Sequence, residues 1–245
     1  MGAYKKFLLI EFAFTFFVFA VLAFFVFFKW FSFPYYLIIN ALKIYFILFF
    51  CALILGPGLI CVVSNAKKKK KLLIMDYFFI FILQVGVIAY GTQLLIQGRP
   101  IFLVYVVDRF EIVTAADINK EDFEGNERVN KIWQGPVAVF AEIPEDAKER
   151  IPLLLRSLGG RDIQYFPKYY KNILDKKEII VKKLAVINIS EVIRNNNYEL
   201  YLQKIKPHNN DNLILAPVNF KGKFWTVALE KNDMHISSWI DFDPY

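Results

Sequence analysis

Asp241 and Asp243 flank Phe242 close to the end of this 245-residue chain, and two carboxylates at that spacing could share a divalent ion in a nucleotide-sugar transferase. No phosphate-cradling glycine loop accompanies them, and no Gly-x-Ser-x-Gly elbow offers a nucleophile. His208 follows Pro207 in an asparagine-rich turn and reads as a solvated loop residue. His235 opens a short β-prone run and reads as a strand residue. Cys51 and Cys61 stand ten residues apart in an apolar stretch, about 15 Å along a helix, too far to bridge and without further metal ligands. The expectation is therefore no catalytic residue, no metal and no cofactor, with a transferase built on Asp241 and Asp243 as the alternative.

The elements that would position these residues are of two kinds. Hydrophobic residues make up 56% of the chain and phenylalanine alone numbers 26, most of it in the first hundred residues. Three apolar runs long enough to cross a bilayer are predicted near 7–28, 37–63 and 77–97. The first is too long for a signal-peptide core and no small-x-small cleavage site follows it. Five consecutive lysines, Lys67 to Lys71, separate the second and third runs. Moving such a cluster across a bilayer is costly, so it marks the cytoplasmic side, together with Lys5 and Lys6. Three spans from a cytoplasmic N-terminus leave residues 98–245 outside, in the periplasm.

Charge follows the same division. Residues 1–97 carry nine basic and two acidic side chains, which accounts for the whole net charge of +7. The remaining 148 residues are neutral. The basic balance is thus a topology signal, and nucleic acid is not an expected partner. Within the spans, Glu11 and Gln84 are predicted at similar depth near the cytoplasmic side, where they could meet, while Lys43 snorkels to the opposite side. Gly56-Pro57-Gly58 predicts a kink or close helix contact in the second span, with Gly86 and Gly91 as further close-approach points in the third.

Arg99-Pro100 ends the third helix, since proline disfavours helical geometry in the residue before it. Strands are predicted at 101–107, 111–114 and 137–143, and helices at 144–158, with Pro152 a candidate break point, at 174–184 and at 190–194. Asn195-Asn196-Asn197 and Asn209-Asn210 read as turns. The clearest element is a hairpin, 213–220 and 223–229 about a Lys221-Gly222 turn, with 235–240 as an edge strand. Asp108 and Arg109, adjacent in a strand, point to opposite faces and need separate partners, with Arg99 or Glu111 at hand. The predicted fold class is a polytopic α-helical membrane protein with a soluble C-terminal α+β domain containing an antiparallel sheet.

Gly56-Pro57, the lysine run followed by Asp76, then Gln84, Tyr90-Gly91, Arg99-Pro100 and Asp108-Arg109-Phe110 occur in an order and spacing that resemble the TfpX/TfpZ family of type IV pilin accessory proteins. Trp30 to Pro34 fits the same pattern, so the resemblance covers roughly residues 25–120. It implies a Gram-negative inner-membrane protein that supports stability or assembly of a cognate major pilin, with no established enzymatic activity, and that works with the lipid bilayer and inner-membrane pilus assembly components. The family pattern leads us to expect an acidic residue just before Gly56-Pro57, and Cys51 to Leu55 supply none. Phe7-Leu8-Leu9-Ile10-Glu11 also resembles the start of a mature type IV pilin, although Lys6 stands where prepilin cleavage requires glycine. A membrane sensor acting through a partner is a further alternative. Topology is directly testable: alkaline phosphatase fused after Phe110 is expected to be active and fused after Lys70 silent, and the reverse pattern refutes the orientation.

Overall fold

The computed structural model describes residues 3–64, 69–119, 122, 135–200, 203 and 212–245. It divides into two compact units, Met1–Arg99 and Pro100–Tyr245.

In the first unit, α1 (Ala3–Phe25) runs without interruption into a π turn, Val26–Trp30. The Phe31 N–H closes that wider turn on the Val26 carbonyl at 2.8 Å. The chain then reverses through a short helix, α2 (Tyr35–Ile38). Asn40 follows at φ 58°, in the left-handed region that a short polar side chain tolerates. This break moves the start of the second span from the expected residue 37 to Ala41. The span itself comprises α3 (Ala41–Leu53), a π turn at Ile54–Gly58 and α4 (Leu59–Val63). The third is one helix, α5 (Lys70–Gly98), whose 29 residues extend about 44 Å. It begins seven residues before the expected 77 because Lys70, Lys71 and the residues after them are sound helix formers. Lys67 and Lys68 of the lysine run lie outside the described residues. All three helices are long and apolar enough to cross a membrane.

Aromatic contacts and a hydrogen bond join the first two spans. Phe19 meets Tyr45 and Phe49 edge-on, at 5.7 and 5.1 Å between centroids. The buried Tyr45 hydroxyl donates to the Phe19 carbonyl at 2.8 Å. A phenol in the bundle core needs such a partner because lipid offers none.

The second unit is built on a seven-stranded sheet in the order β4-β3-β1-β2-β5-β6-β7. The strands are β1 (Pro100–Val106), β2 (Arg109–Thr114), β3 (Val137–Ala141), β4 (Tyr170–Asn172), β5 (Leu213–Phe220), β6 (Lys223–Glu230) and β7 (Ile236–Ile240). The α+β class holds, but the sheet is mixed. β1 pairs β3 in parallel and β2 pairs β5 in parallel, while the other four neighbour pairs are antiparallel. Long connections from β2 to β3 and from β4 to β5 permit the parallel pairings, which two-residue turns cannot make. Both odd and even residues of β1 are buried, so both faces of the sheet are covered at its centre. One face carries a core of Phe102, Val104, Val113, Val139, Phe166 and Tyr170. On the other, Tyr105 contacts Phe110 and Phe140 on the neighbouring strands.

The helices differ from expectation at their ends. α6 (Ala147–Leu158) starts three residues after Pro144, because Asp146 is the N-cap and accepts from the Lys148 N–H at 2.9 Å. Pro152 sits inside it without breaking it. α7 (Lys177–Ile187) ends at Asn188, left-handed at φ 47°, and α8 (Ile189–Asn196) follows at once. Asn195 and Asn196 therefore close a helix rather than form a turn, and only Asn197 lies beyond it. Asn209 and Asn210 lie outside the described residues, as does His208. α8 covers a second core cluster of Ile189, Ile193, Leu215, Ala228 and Ile240. The β5–β6 hairpin forms as expected, with Lys221 and Gly222 both at positive φ, 49° and 85°.

Candidate functional site

The second span contains the least comfortable backbone of the bundle, since Pro57 has no N–H to give to the carbonyl four residues back. The π turn at Ile54–Gly58 shifts the acceptor register by one residue, which assigns the Leu53 carbonyl to residue 58 instead. Gln84 of the third span reaches into the same place. Its Nε2 donates to the Ala52 carbonyl at 3.3 Å and to Thr15 Oγ1 of the first span at 2.8 Å. Thr15 in turn donates to the Glu11 carbonyl one turn earlier, at 2.8 Å. Thr15 and Gln84 are fully buried. One amide thus ties all three spans together in a setting where no water competes for its bonds.

Gly56 makes this closure possible. A Cβ there would lie 2.4 Å from Gln84 Nε2, so the amide occupies the space a side chain would fill. Gly91 allows a similar approach elsewhere on the third span, where a Cβ would stand 2.2 Å from Leu48 Cδ1. The expectation for Gly86 does not hold, since nothing lies within 4 Å of its would-be Cβ. Gly58 approaches only its own helix, at the Leu53 carbonyl. Glu11 and Gln84 do not meet through their side chains either. Thr15 is the intermediary, and Glu11 Oε1 is buried without a hydrogen-bond partner among the described residues. Thr15 is marked in the sequence only by being the sole hydroxyl of its span, one helical turn from Glu11.

The other residues singled out in the sequence are dispersed. Pro57 is buried in the π turn, Asp76 is half-buried on α5, and Tyr90 is exposed on the same helix. Arg99 closes α5 with a buried side chain, and Pro100 opens β1. Asp108 is not in a strand. Val107 and Asp108 form the two-residue link between β1 and β2, with Val107 at φ 53°, a costly conformation for a β-branched residue. The Asp108 N–H closes this turn on the Val106 carbonyl at 2.6 Å, and Lys183 Nζ holds the Val107 carbonyl at 3.0 Å. Phe110 is buried in the sheet. His235 precedes β7 rather than lying in it, and its backbone N–H donates to Asp233 Oδ1; Asp243 Oδ1 accepts from the Tyr245 N–H.

Arg109 and Glu111 form a second polar cluster, with Glu111 the partner anticipated for the arginine. Arg109 Nε donates to Glu111 Oε1 at 2.9 Å, and its guanidinium lies 5.9 Å from the Phe224 ring centre. Asn219, opposite Glu111 across the parallel β2–β5 pair, donates to both carboxylate oxygens at 3.0 and 2.9 Å. Burial pushes the Glu111 carboxyl above its ordinary value of 4.5, and the bonds from Asn219 and Arg109 offset this only in part. The sequence does not single out Asn219; its one signal is an amide standing in an otherwise apolar strand pattern.

These features define a three-helix membrane bundle closed by an interhelical amide and continued into a mixed-sheet α+β domain. No family model matches the chain, and no solved structure matches it. Curated relatives do. A fimbrial assembly protein of Dichelobacter nodosus serogroup I is 26% identical over 234 residues, spanning 92% of this chain and 90% of its own. The serogroup E1 fimbrial assembly protein is 26% identical over 244 residues, spanning 96% and 94%. The fimbrial assembly protein of serogroups C1 and C2 is 32% identical over 99 residues, which are 40% of this chain and 76% of that one. The chain belongs to this family of fimbrial assembly proteins.

Two outcomes follow from the geometry. Gly56→Ala should displace Gln84 and lower resistance to unfolding in detergent, and Gln84→Ala should cost about 1 kcal/mol through its lost bonds. The double variant should be less damaged than the sum, because removing the amide makes room for the new methyl; strict additivity would refute the contact. For Glu111, protonation favours the folded state, so its stabilising effect is full below about 4.5 and is lost as pH rises through the raised folded value. Wild type should therefore gain stability relative to Glu111→Gln as pH is lowered from neutral towards 4.5, read by chemical denaturation at each pH.

Proposed function

We propose that this chain is an inner-membrane accessory of the TfpX/TfpZ type that binds a type IV major pilin and supports its stability or its assembly into pili. The observation that carries this reading is the likeness to named fimbrial assembly proteins along more than nine-tenths of this chain. The N-terminus and the lysine loop stand in the cytoplasm and the α+β domain in the periplasm. The protein performs no chemistry of its own and requires no cofactor. It holds a partner helix beside its own spans and presents its domain to the pilin head or to other inner-membrane assembly components.

Two features of the bundle support a lateral partner. Only 11% of the apolar core of α5 is buried, against 22% and 28% in the other two spans, so the third helix has the most uncovered side. Glu11 is half-buried, and one of its carboxylate oxygens, like Gln84 Oε1 and Trp30 Nε1, has no hydrogen-bond partner among the described residues. A carboxylate in that position is expensive in lipid unless a cation meets it, and the amine at the start of a pilin's apolar helix is such a cation. Because Phe7 to Glu11 resembles the pilin's own opening residues, the accessory meets the pilin as a neighbouring pilin does.

In-membrane photocrosslinking from Phe12 or Phe78 should recover the pilin, and Glu11→Gln should reduce both the crosslink and the number of pili. Recovery of no pilin or assembly component refutes the binding role. Normal pili lacking a covalent modification in a deletion strain point to a transferase instead.

A further inference from the structure

α6 is held to its domain by one narrow edge. Leu153 is buried in the core, and Arg156 lies 5.3 Å from the centre of the Phe166 ring, which together fix the rotation of the helix. That rotation turns Ile151, Leu154, Leu155 and Leu158 outward, with exposures of 57, 55, 65 and 85%. Their spacing of i, i+3, i+4, i+7 makes one continuous apolar stripe. Isolated exposed leucines are ordinary on a protein surface, but four in register on one helix are not. Arg150 borders the stripe on one side and Lys148 on the other, and both are exposed. The acidic Glu149 points away from it, by helical geometry.

We propose that this stripe of α6 lies in the interface of an anionic lipid bilayer, with Lys148 and Arg150 reaching the headgroups on either side. An apolar face bordered by basic residues is the arrangement that binds bilayer surfaces: the leucines enter the acyl boundary while the cationic ends stay with lipid phosphates. A second copy of the helix fits less well. Self-pairing would bring basic borders together, and no acidic residue lies along the stripe to receive them. The covalent chain favours lipid as well. The third span ends at Gly98 and β1 begins at Pro100, so a single residue tethers the domain to the membrane and the local lipid concentration is high.

The test uses the full-length protein in vesicles, with Cys51 and Cys61 replaced by alanine and an environment-sensitive label on Leu154→Cys or Leu158→Cys. With phosphatidylglycerol present, lipids brominated on their acyl chains should quench both labels, while a label on Lys223→Cys in the β5–β6 turn stays in water. Replacing Lys148 and Arg150 by glutamine should weaken the preference for anionic lipid roughly fivefold per residue. A label on Ile151→Cys should lose its quenching in a Leu154→Ser, Leu158→Ser chain whose circular dichroism is unchanged. Labels at 154 and 158 that behave like the Lys223 label overturn the proposal. So do labels shielded only when a partner protein is added, which would assign the stripe to that protein instead.

Discussion

A proline in the middle of a membrane helix removes a hydrogen bond that lipid cannot replace, and the transmembrane unit is arranged around that loss. At Pro57 the answer has two layers. The helix widens to a π turn, which redistributes its own donors, and the third span sends in Gln84 to serve a carbonyl beside the break. Because Gln84 also binds Thr15, one amide fastens three helices. Gly56 supplies the space that this amide occupies. The hydroxyl of Tyr45 follows the same rule nearer the other end of the bundle, giving its proton to a neighbouring span's carbonyl.

Internal satisfaction of this kind leaves a sharp contrast with what is not satisfied. Gln84 Nε2, the hydroxyls of Thr15 and Tyr45 and three backbone carbonyls find one another, while Gln84 Oε1, Trp30 Nε1 and Glu11 Oε1 are buried without a hydrogen bond among the described residues. In a soluble protein a nearby water would make that a minor matter. In an apolar bundle such unpaired atoms are costly. The long α5 is the least covered of the three spans.

Much of this is legible in the chain. Apolar length marks three spans, and Gly-Pro-Gly points to a special contact in the second. The Lys221-Gly222 turn with flanking alternation locates the best-defined hairpin. Partnership between distant segments is what a sequence hides. Nothing local says that Gln84 meets Thr15 across 69 residues or that Asn219 meets Glu111 across 108. The parallel pairings of the sheet are hidden for the same reason, since periodicity shows that a strand has a buried face and not which strand lies beside it. Asn195 and Asn196 depart from the expected turn because asparagine's turn preference yields to the apolar face of α8, whose Ile189 and Ile193 are fixed in the core.

The parallel seam between β2 and β5 has a consequence for how the domain is made. It contains only two register pairs, Phe110 with Val218 and Glu111 with Asn219. On one side of it β1 and β2 form a hairpin, and on the other β5, β6 and β7 form a meander, each from residues close in sequence. Local hairpins close quickly, whereas a contact across about a hundred residues must first overcome the entropy of the intervening loop. Chain entropy therefore favours closing each half before the seam between them. In any chain whose last strands have not yet joined, the edge of β2 that β5 covers is an open strand edge, the kind of edge on which wrong chains pair.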